Sequence, residues 1–288
     1  MQLKSYAKNN LVLGLGEKMS GGKNEHFYII NEIDWHDNVT VEELNENKIL
    51  IECNVSGVPL DEKNLCWKAV ELMQKELGEQ RGVKIVLEKQ IPAAGGLGGG
   101  SSNAATVIKA LNKLWGLGLS EQKLIELVNP VLGTDASFFI KGGICYQSKF
   151  GFPVERIKTS LQLNFVFAVP KVVVPENKTR KAFQYLDLKK ASQKPPVKEC
   201  IKALEENDFY GIAKNLYNVF LFSLLPEFSK CFNLINEMKE LGCENAIVCG
   251  SGPTVFGLTE SESKAKEIAK QLEKDNERVF TAKSRVVE

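Results

Sequence analysis

The sequence predicts an α+β fold, because strands and helices are mixed in an order that lacks the regular alternation of a doubly wound sheet. Apolar or alternating segments typical of strands occupy residues 11–13, 27–33, 39–41, 49–55 and 83–87. The first helical spacing appears only after four of these segments, so strands and helices do not alternate along the chain. The chain of 288 residues is long enough for one large domain or two closely joined ones.

The first predicted helix covers residues 64–77. Its apolar residues recur at helical spacing and leave the charged residues outside; they are Leu65, Ala69, Leu72 and Met73. The strand at residues 83–87 comes next and leads into a glycine-rich loop, and a second helical segment at residues 104–115 follows that loop. Strand, glycine loop and helix therefore stand in immediate succession.

The rest of the chain continues the mixture. A third helix is predicted from Ser120 to about Pro130. Residues 171–199 are rich in lysine and proline, which predicts a mobile connection with one short helix near residues 179–186, and helical spacing then dominates to residue 241. The other predicted elements are strands at residues 144–147 and 163–169, a strand–turn–strand at 246–258, a helix to residue 272 and a strand near Val279.

The charge balance provides no general attraction for polyanions. The chain has 37 basic and 36 acidic residues, a net charge of +1, so nucleic acid and anionic membranes are not expected partners. No apolar run predicts a membrane span or a signal peptide. Any anion site must therefore be built from individual side chains and backbone N–H groups. We expect the protein to be a monomer or a weak homodimer.

Cysteine usage indicates a reducing compartment. The chain has only two histidines and no C-x-x-C pair, so a structural zinc site is disfavoured. Single cysteines scattered along a chain of this length are typical of reduced, partly buried residues in a cytoplasmic protein. The seven are Cys53, Cys66, Cys145, Cys200, Cys231, Cys243 and Cys249.

The glycine loop, residues 92–102, is the strongest local pattern, because five of the six residues at 95–100 are glycine. Glycine costs backbone entropy, and an ordinary turn needs only one or two. Without Cβ atoms, consecutive N–H groups can converge on one bulky anion, and the N-terminus of the next helix adds its dipole. Ser101, Ser102 and Asn103 stand where that helix should be capped. The pattern favours a phosphate site over a flexible turn.

The glycine loop does not match the two commonest phosphate motifs. A Walker A loop needs a lysine after its last glycine, and none follows this run. The dinucleotide fingerprint needs its third glycine at the position that Ser101 occupies. Ordinary P-loop ATPases and Rossmann dehydrogenases are therefore both disfavoured.

Four segments of the chain together resemble the GHMP kinases. Residues 96–105, GLGGGSSNAA, are most similar to the members that phosphorylate 4-diphosphocytidyl-2-C-methyl-D-erythritol in the non-mevalonate route to isoprenoid precursors. The other segments agree in order and spacing: AKNNL at 7–11, LGTDASFF at 132–139 and GSGPTVF at 250–256. The resemblance covers the chain from its first ten residues to about residue 258.

The resemblance implies an ATP-dependent phosphotransferase with two lobes and an alcohol as acceptor. An ATP-binding lobe of the ribosomal-protein-S5 domain-2-like type would span residues 1–155, and a C-terminal lobe residues 156–288. Asp135 would accept or orient the hydroxyl proton, and Lys8 would stabilise charge beside it. Singly, each is more simply a turn aspartate or a solvated lysine, but their joint occurrence favours catalysis. Mg²⁺ is expected on the β- and γ-phosphates, with Ser101 or Ser102 as candidate ligands.

The resemblance also assigns residues to ATP. The glycine loop would hold the phosphates, and Asn64 and Lys89 would lie around the adenosine. A helix cap is the competing interpretation for Asn64, and a surface position is the one for Lys89. The loop residues are Pro92, Ala93, Ala94, Gly95, Gly96, Leu97, Gly98, Gly99, Gly100, Ser101 and Ser102.

The acceptor side of the resemblance is less complete. The family reads cytosine with a Gly-Tyr-His element, whereas residues 22–24 are Gly-Lys-Asn, and His26 is more simply a structural residue. Phe183 lies in a segment that resembles the family, TRKAF, but a core position is the preferred interpretation of this residue. For Gly250, a tight strand connection is the alternative to a role in binding the acceptor. The residues implied for the acceptor are Asn10, Asn24, Phe183, Gly250 and Ser251.

Two other functions therefore stay open. The first is a kinase of the same family that acts on a different alcohol, such as a sugar, homoserine or a mevalonate derivative. The second is a catalytically silent nucleotide-binding relative. The presence of both Lys8 and Asp135 argues against the second, because a silent relative has no need of that pair.

Overall fold

The computed structural model describes residues 1–18, 24–148, 151–186 and 194–287. These residues form two compact units, each assembled from separate stretches of the chain. Unit 1 contains Met1–Lys8, Trp35–Ala93 and Gly98–Gly142, and unit 2 contains Asn9–Asp34, Ala94–Leu97 and Gly143–Glu288. The predicted α+β class is confirmed, and the domain division near residue 155 stays a prediction.

The elements follow one another in chain order. The strands are β1 (Gln2–Lys18), β2 (Asn24–Leu44), β3 (Ile49–Cys53), β4 (Gly82–Glu88), β5 (Ile144–Gln147), β6 (Val154–Arg156), β7 (Asn164–Pro170), β8 (Tyr217–Asn218), β9 (Asn245–Val248), β10 (Val255–Thr259) and β11 (Asn276–Lys283). The helices are α1 (Leu65–Leu77), α2 (Gly99–Leu114), α3 (Glu121–Leu132), α4 (Thr134–Lys141), α5 (Lys178–Tyr185), α6 (Val197–Glu205), α7 (Phe209–Lys214), α8 (Lys230–Glu240) and α9 (Glu262–Leu272). The described residues also form 3₁₀ turns at Val219–Ser223 and Pro226–Phe228.

Strands β1 and β2 are longer than the sequence predicted, and each contributes residues to both units. Residues 27–33 and 39–41, predicted as separate strands, belong to one strand of 21 residues. The polar residues that interrupt the apolar pattern have partners within unit 2. The Asn31 amide donates to the Asn9 side chain at 2.8 Å, and the Asp34 carboxylate accepts from the Lys283 backbone N–H at 2.8 Å. Paired polar groups allow the strand to continue.

Unit 1 combines a sheet with four helices. The second half of β2 pairs antiparallel with β4, which pairs parallel with β3. Alternate residues of these strands are buried, Val39 and Val41 in β2 and Val83 and Ile85 in β4, as the period-two pattern requires. Helices α1, α2, α3 and α4 pack on one another beside the sheet.

Unit 2 contains an antiparallel sheet in the order β11-β7-β10-β9, together with the short strands β5, β6 and β8. Four phenylalanines from three of the strands pack on one face, and the rings of Phe167 and Phe280 stack at 4.9 Å. Helices α8 and α9 add the buried residues Leu234, Met238 and Ile268 to a second core cluster. The turn between β9 and β10 and helix α5 contain the residues of this unit that the sequence analysis assigned to the acceptor, Gly250, Ser251 and Phe183.

All seven cysteines are thiols outside any disulfide, six of them buried and Cys53 half-buried, which confirms the interpretation as reduced, partly buried residues. Burial raises the pKa of the Cys66, Cys200, Cys231 and Cys243 thiols to about 12. These four groups stay protonated at neutral pH and are poor nucleophiles. In the part of the chain that the structure describes, no helix is long and apolar enough to span a membrane. The cytoplasmic location stays a prediction.

Candidate active site

A buried lysine and a partly exposed aspartate lie together in unit 1. Lys8 is in β1 and only 4% exposed, whereas Asp135 is in the first turn of α4. The Lys8 Nζ atom is 3.7 Å from Oδ2 of Asp135, whose side chain keeps 36% of its surface exposed. The carboxylate can therefore meet a hydroxyl group that arrives from solvent, while the ammonium stays inside. The two residues that the resemblance paired are neighbours.

The glycine loop approaches this pair at Gly98. A Cβ atom added there would lie 3.0 Å from Cγ and 3.1 Å from Cε of Lys8, and 3.0 Å from the ring of Phe139. Gly98 also has a φ of 73°, a left-handed conformation that costs glycine little and other residues more. Glycine thus lets the loop backbone come into contact with the lysine stem.

Helix α2 begins earlier than predicted. Its N-cap is Gly98, and Ser101, Ser102 and Asn103 lie inside the first turns, so their assignment as the cap is wrong. The left-handed glycine turns the chain into the helix without a side-chain cap, and the Ser102 N–H already donates to the Gly98 carbonyl at 2.9 Å. The first N–H groups of a helix have no partner within it. Those of Gly99, Gly100 and Ser101 are consequently placed to bind an anion.

Asp37, a residue that the sequence analysis missed, holds both ends of the glycine loop. Its Oδ1 accepts from the backbone N–H groups of Gln90 at 2.6 Å and Ile91 at 2.8 Å, just before the loop. Its Oδ2 accepts from Lys89 Nζ at 2.6 Å and from Asn103 Nδ2 at 2.9 Å, just after the loop. Its only signal in the sequence was an acidic residue next to a predicted strand.

Lys89 is not on the surface, so that interpretation is wrong. Its side chain is 7% exposed and also donates to Oδ1 of Asn103 at 3.0 Å. The Asn103 amide continues to Ser5 Oγ at 2.9 Å, and Ser5 Oγ donates to Ser102 Oγ at 2.7 Å. We refer to these five residues, Asp37, Lys89, Asn103, Ser5 and Ser102, as the Asp37 network. Contact of Lys89 with adenosine stays a prediction.

The two serines predicted as Mg²⁺ ligands differ. Ser102 is 1% exposed, and its hydroxyl accepts from Ser5, whereas Ser101 is half-buried in the first turn of α2. Mg²⁺ on a nucleotide usually keeps several waters and takes only one or two protein oxygens. The Ser101 hydroxyl fits this requirement better. No cluster of three His, Cys, Asp or Glu residues that could hold a metal is found among the residues described.

Other predicted ATP residues have structural tasks. The Asn64 Oδ1 atom accepts from the Cys66 N–H at 2.9 Å, and its Nδ2 donates to the Pro59 carbonyl at 2.6 Å. The helix-cap interpretation of Asn64 is confirmed, and its contact with adenosine stays a prediction. Leu97 is 1% exposed, so its side chain anchors the glycine loop in the core.

Within unit 2, the first half of the glycine loop packs against the turn between β9 and β10. A Cβ on Gly96, whose φ is 88°, would lie 2.2 Å from the Cys249 carbonyl oxygen. One on Gly250 would lie 3.3 Å from the Gly96 carbonyl oxygen. Ser251 is buried, with its hydroxyl 3.3 Å from that of Thr179. The turn is a tight strand connection that also touches the loop, and its role as a donor to substrate stays a prediction.

Phe183 occupies an exposed position rather than the core position that was preferred. Its side chain in α5 is 40% exposed. One neighbour is His26, whose ring is stacked with it at 6.2 Å, and another is Phe220, in edge contact at 5.1 Å. The His26 Nδ1 atom shares a hydrogen bond of 2.7 Å with the Tyr28 hydroxyl. These residues form an aromatic cluster in unit 2.

The remaining residues predicted for the acceptor lie in β1 and β2. Asn10 is 2% exposed and lies two residues after Lys8 in β1. Residues two apart in a strand lie on the same face, so Asn10 and Lys8 share a face of β1. Asn24 is the first residue of β2, but its side chain lies outside what the structure describes, as do residues 22 and 23.

Comparison with known proteins gives consistent matches. The GHMP kinases N terminal domain matches residues 64–143, and the GHMP kinases C terminal domain matches residues 200–278. A protein of Caldicellulosiruptor bescii named 4-diphosphocytidyl-2-C-methyl-D-erythritol kinase is 34% identical over 276 residues, 94% of each chain. The Alkaliphilus metalliredigens protein of the same name is 36% identical over 276 residues, 94% of this chain and 92% of its own.

Solved structures share the fold. A crystal structure of 4-(cytidine 5'-diphospho)-2C-methyl-D-erythritol kinase superposes with a TM-score of 0.82 at 24% identity, covering 100% of both chains. Homoserine kinase from Cytophaga hutchinsonii superposes with a TM-score of 0.72 at 20% identity, covering 99% of this chain and 96% of its own. With two matched domains and relatives aligned along nearly the whole sequence, the chain belongs to the GHMP kinase family.

Proposed function

We propose that this chain transfers the γ-phosphate of ATP to a hydroxyl group of 4-diphosphocytidyl-2-C-methyl-D-erythritol, in the non-mevalonate synthesis of isoprenoid precursors. The observation that carries the chemistry is the Lys8 ammonium 3.7 Å from the Asp135 carboxylate, beside the backbone of Gly98. The choice of acceptor is supported by relatives of that name, which are 34% and 36% identical along 94% of this chain.

The two side chains divide the work of phosphoryl transfer. Asp135 accepts the proton of the acceptor hydroxyl as its oxygen attacks the γ-phosphorus. A bond forms between that oxygen and the phosphorus, the bond to the β,γ-bridging oxygen breaks, and ADP leaves with the electron pair. The proton passes from Asp135 to water after the product departs. Lys8 places its positive charge beside the oxygens that become more negative in the transition state.

The glycine loop holds the phosphates with main-chain donors. The N–H groups at the start of α2 point out of the helix, and the helix dipole favours negative charge there. The Asp37 network fixes the ends of the loop, so these donors are arranged before ATP arrives. When bound, Mg²⁺ would supply further positive charge to the β- and γ-phosphates, with Ser101 as the residue that holds it.

The aromatic cluster in unit 2 supports recognition of a nucleobase. A ring that is 40% exposed, as Phe183 is, presents a face on which a planar base can stack. The His26 ring is stacked beside Phe183 at 6.2 Å and adds a second planar group next to the proposed stacking position. This arrangement would replace the Tyr-His pair that the sequence lacks at residues 23–24. We propose that Asn10, Gly250 and Ser251 contact the non-aromatic part of the acceptor.

A second candidate function is phosphorylation of another alcohol by the same machinery. The observation that favours it is Gly-Lys-Asn at residues 22–24, where the cytidine-reading members have Gly-Tyr-His. This alternative keeps Lys8, Asp135 and the glycine loop in the same roles and changes only the acceptor. A silent nucleotide-binding protein is disfavoured, because it would have no need of Lys8 and Asp135 at a separation of 3.7 Å.

The test is an ADP-release assay with Mg·ATP and 4-diphosphocytidyl-2-C-methyl-D-erythritol, run beside homoserine, mevalonate, phosphomevalonate and galactose. We expect release that depends on the cytidine compound and is absent with the other four. Release with one of the other alcohols alone would reject the acceptor and retain the kinase. ATP binding without release in any reaction would reject the kinase function itself.

A further inference from the structure

The sheet of unit 1 ends in an open edge strand. Strand β3 is the terminal member of the order β3-β4-β2-β1-β8, and among the described residues its strand partner is β4 alone. The side chains of β3 alternate, so that Ile51 is buried whereas Leu50 is 39% exposed. An edge strand presents a row of backbone donors and acceptors that can pair with a further strand. The open edge of β3 is therefore a candidate contact surface.

The hydrogen bonds to β4 show which backbone groups of β3 face outward. The Val83 N–H donates to the Lys48 carbonyl oxygen at 2.9 Å, and the Asn54 N–H donates to the Leu87 carbonyl oxygen at 3.2 Å. Residues two apart in a strand direct their backbone groups to the same side, so the even-numbered residues in the range 48–54 bond toward β4. The outward N–H and carbonyl groups belong to the odd-numbered residues, Ile49, Ile51 and Cys53.

The charges along this edge fit an antiparallel copy of the same strand. Lys48 immediately precedes β3 and Glu52 lies near its end, and both side chains are exposed. Charged side chains on an edge strand normally discourage pairing with another chain. In an antiparallel register centred on Leu50, however, Lys48 lies opposite Glu52 of the second copy, and the same pair recurs on the other side of the centre. Registers shifted by one pair in either direction place a charged residue opposite Leu50 instead.

The same register satisfies the outward backbone groups. Ile49 lies opposite Ile51 of the second copy, and both are residues whose N–H and carbonyl groups face outward. Two residues that face each other in this way exchange two hydrogen bonds, so the two symmetric pairs would form four. The Leu50 side chains meet at the centre, where each covers part of the exposed apolar surface of the other.

Each edge charge also has a partner of opposite sign in its own chain. The Lys48 Nζ atom is 2.6 Å from Oε2 of Glu46, and the Glu52 Oε1 atom is 2.8 Å from Nζ of Lys84. When Lys48 meets Glu52 of a second copy, these two pairs join into a row of four charges with alternating sign. Such a network contributes more than an isolated exposed ion pair does.

We propose that the open edge of β3 binds a second copy of this chain, which continues the sheet of unit 1 across a two-fold axis at Leu50. This inference is independent of the proposed function, and it gives the expected weak homodimer a definite surface. A two-fold contact uses the same patch on both copies, as the self-complementary charges require. One short strand from each copy makes a small interface, which is the size class of transient complexes.

Charge reversal on the full chain tests this register. Lys48→Glu makes both edge charges acidic, and Glu52→Lys makes both basic, so each variant places like charges opposite each other in its own dimer. We expect each variant to dimerise at least about tenfold more weakly than wild type. Sedimentation equilibrium at low ionic strength measures the dissociation constants, because salt screens exposed charges. Lys202→Glu, which reverses an exposed charge on α6, is the matched control and should dimerise as wild type does.

Mixing the two variants separates this register from a general effect of charge. An acidic edge opposite a basic edge restores both charge pairs, so an equimolar mixture should form heterodimers at least about tenfold more tightly than either variant pairs with itself. Heterodimer formation also shows that both variants are folded. The proposal is overturned if wild type stays monomeric, if the single reversals dimerise as tightly as wild type, or if the mixture does not associate more tightly than its components.

Discussion

The glycine loop with its supports and the aromatic cluster around Phe183 are built in different ways. Polar side chains that hold the loop are almost completely buried: Asp37 is 0% exposed, Ser102 1% and Asn103 2%. Each is held by hydrogen bonds of 2.6–3.0 Å. Phe183, in α5, is 40% exposed, and the described residues contact its ring through aromatic side chains at 5.1 Å and 6.2 Å. The glycine loop is therefore restrained by directional hydrogen bonds, and the aromatic cluster by packing between rings.

This difference follows from the tasks that we propose for the two regions. Phosphoryl transfer depends on charges and donors that are already in place, because rearranging them in the transition state would cost free energy. Stacking on a planar base has a weaker geometric requirement, since many aromatic rings can supply it. Substitutions at the catalytic pair or near the glycine loop should therefore lower turnover or ATP affinity, whereas substitutions in the aromatic cluster should change the affinity for the acceptor.

The largest effect is expected for Asp135→Asn. The amide cannot accept the hydroxyl proton, so kcat should fall by about a thousandfold, while KM for ATP changes little. Steady-state ADP release measures both quantities. Glu126→Gln, which alters an exposed carboxylate on α3, is the matched control and should behave as wild type. A kcat for Asp135→Asn within about threefold of wild type would remove Asp135 from the proton-accepting role.

Gly96→Ala should come next. The new Cβ would lie 2.2 Å from the Cys249 carbonyl oxygen at a φ of 88°, so the loop must move. We expect KM for ATP to rise more than about tenfold and the free energy of unfolding to fall by about 2 kcal/mol. Gly116→Ala is the control, because Gly116 lies outside the glycine loop, also has a positive φ of 63°, and its added Cβ would meet no atom within 4 Å beyond its chain neighbours. Equal behaviour of the two variants would show that close packing at Gly96 does not matter.

Asp37→Asn tests whether buried charge supports the loop. The Lys89 ammonium would lose its partner at 2.6 Å, and the free energy of unfolding should fall by about 3 kcal/mol, with a several-fold rise in KM for ATP. Adding Lys89→Met removes the stranded charge, so the double variant should recover stability but not ATP affinity. Chemical denaturation and ADP-release kinetics give the two readouts. If the double variant recovered both stability and ATP affinity, the Asp37 network would have only a structural role.

The smallest expected effect belongs to the aromatic cluster. Phe183→Ala should raise KM for the cytidine acceptor by about tenfold, the usual loss for one stacked base, and leave kcat and KM for ATP unchanged. Tyr185→Ala, 60% exposed on the same helix, is the control for removal of a ring. A loss of kcat instead of acceptor affinity would contradict the division between the two regions.

Residue types alone indicated the glycine loop, and the resemblance to a known family indicated the pair of Lys8 and Asp135. Five glycines among the six residues between a strand and a helix have few physical uses. The motifs that contain Lys8 and Asp135 each join a charged residue to a local pattern that resembles the family. The helix caps at Asn64 and Ser120 could also be read locally, because a cap bonds to N–H groups two or three residues away.

Other features depended on residues that are far apart in the chain. Asp37 bonds to Lys89 across 52 positions, and Lys178 bonds to Ala94 across 84. A lone aspartate and one lysine among many carry no pattern that distinguishes them from solvated surface residues. The exposure of Phe183 was equally unreadable, because an aromatic residue on a short helix is usually buried by its neighbours.

The sequence by itself determined the α+β class and the glycine loop, because glycine density and period are local properties, and the resemblance to a known family added the pairing of a lysine with an aspartate. Only the tertiary structure decided where α2 begins, which polar residues are buried, and which ring remains exposed. Burial and hydrogen bonding depend on what the rest of the chain brings to a position. The physical reason is that desolvation and packing act on neighbours in space, and a linear pattern records only neighbours in sequence.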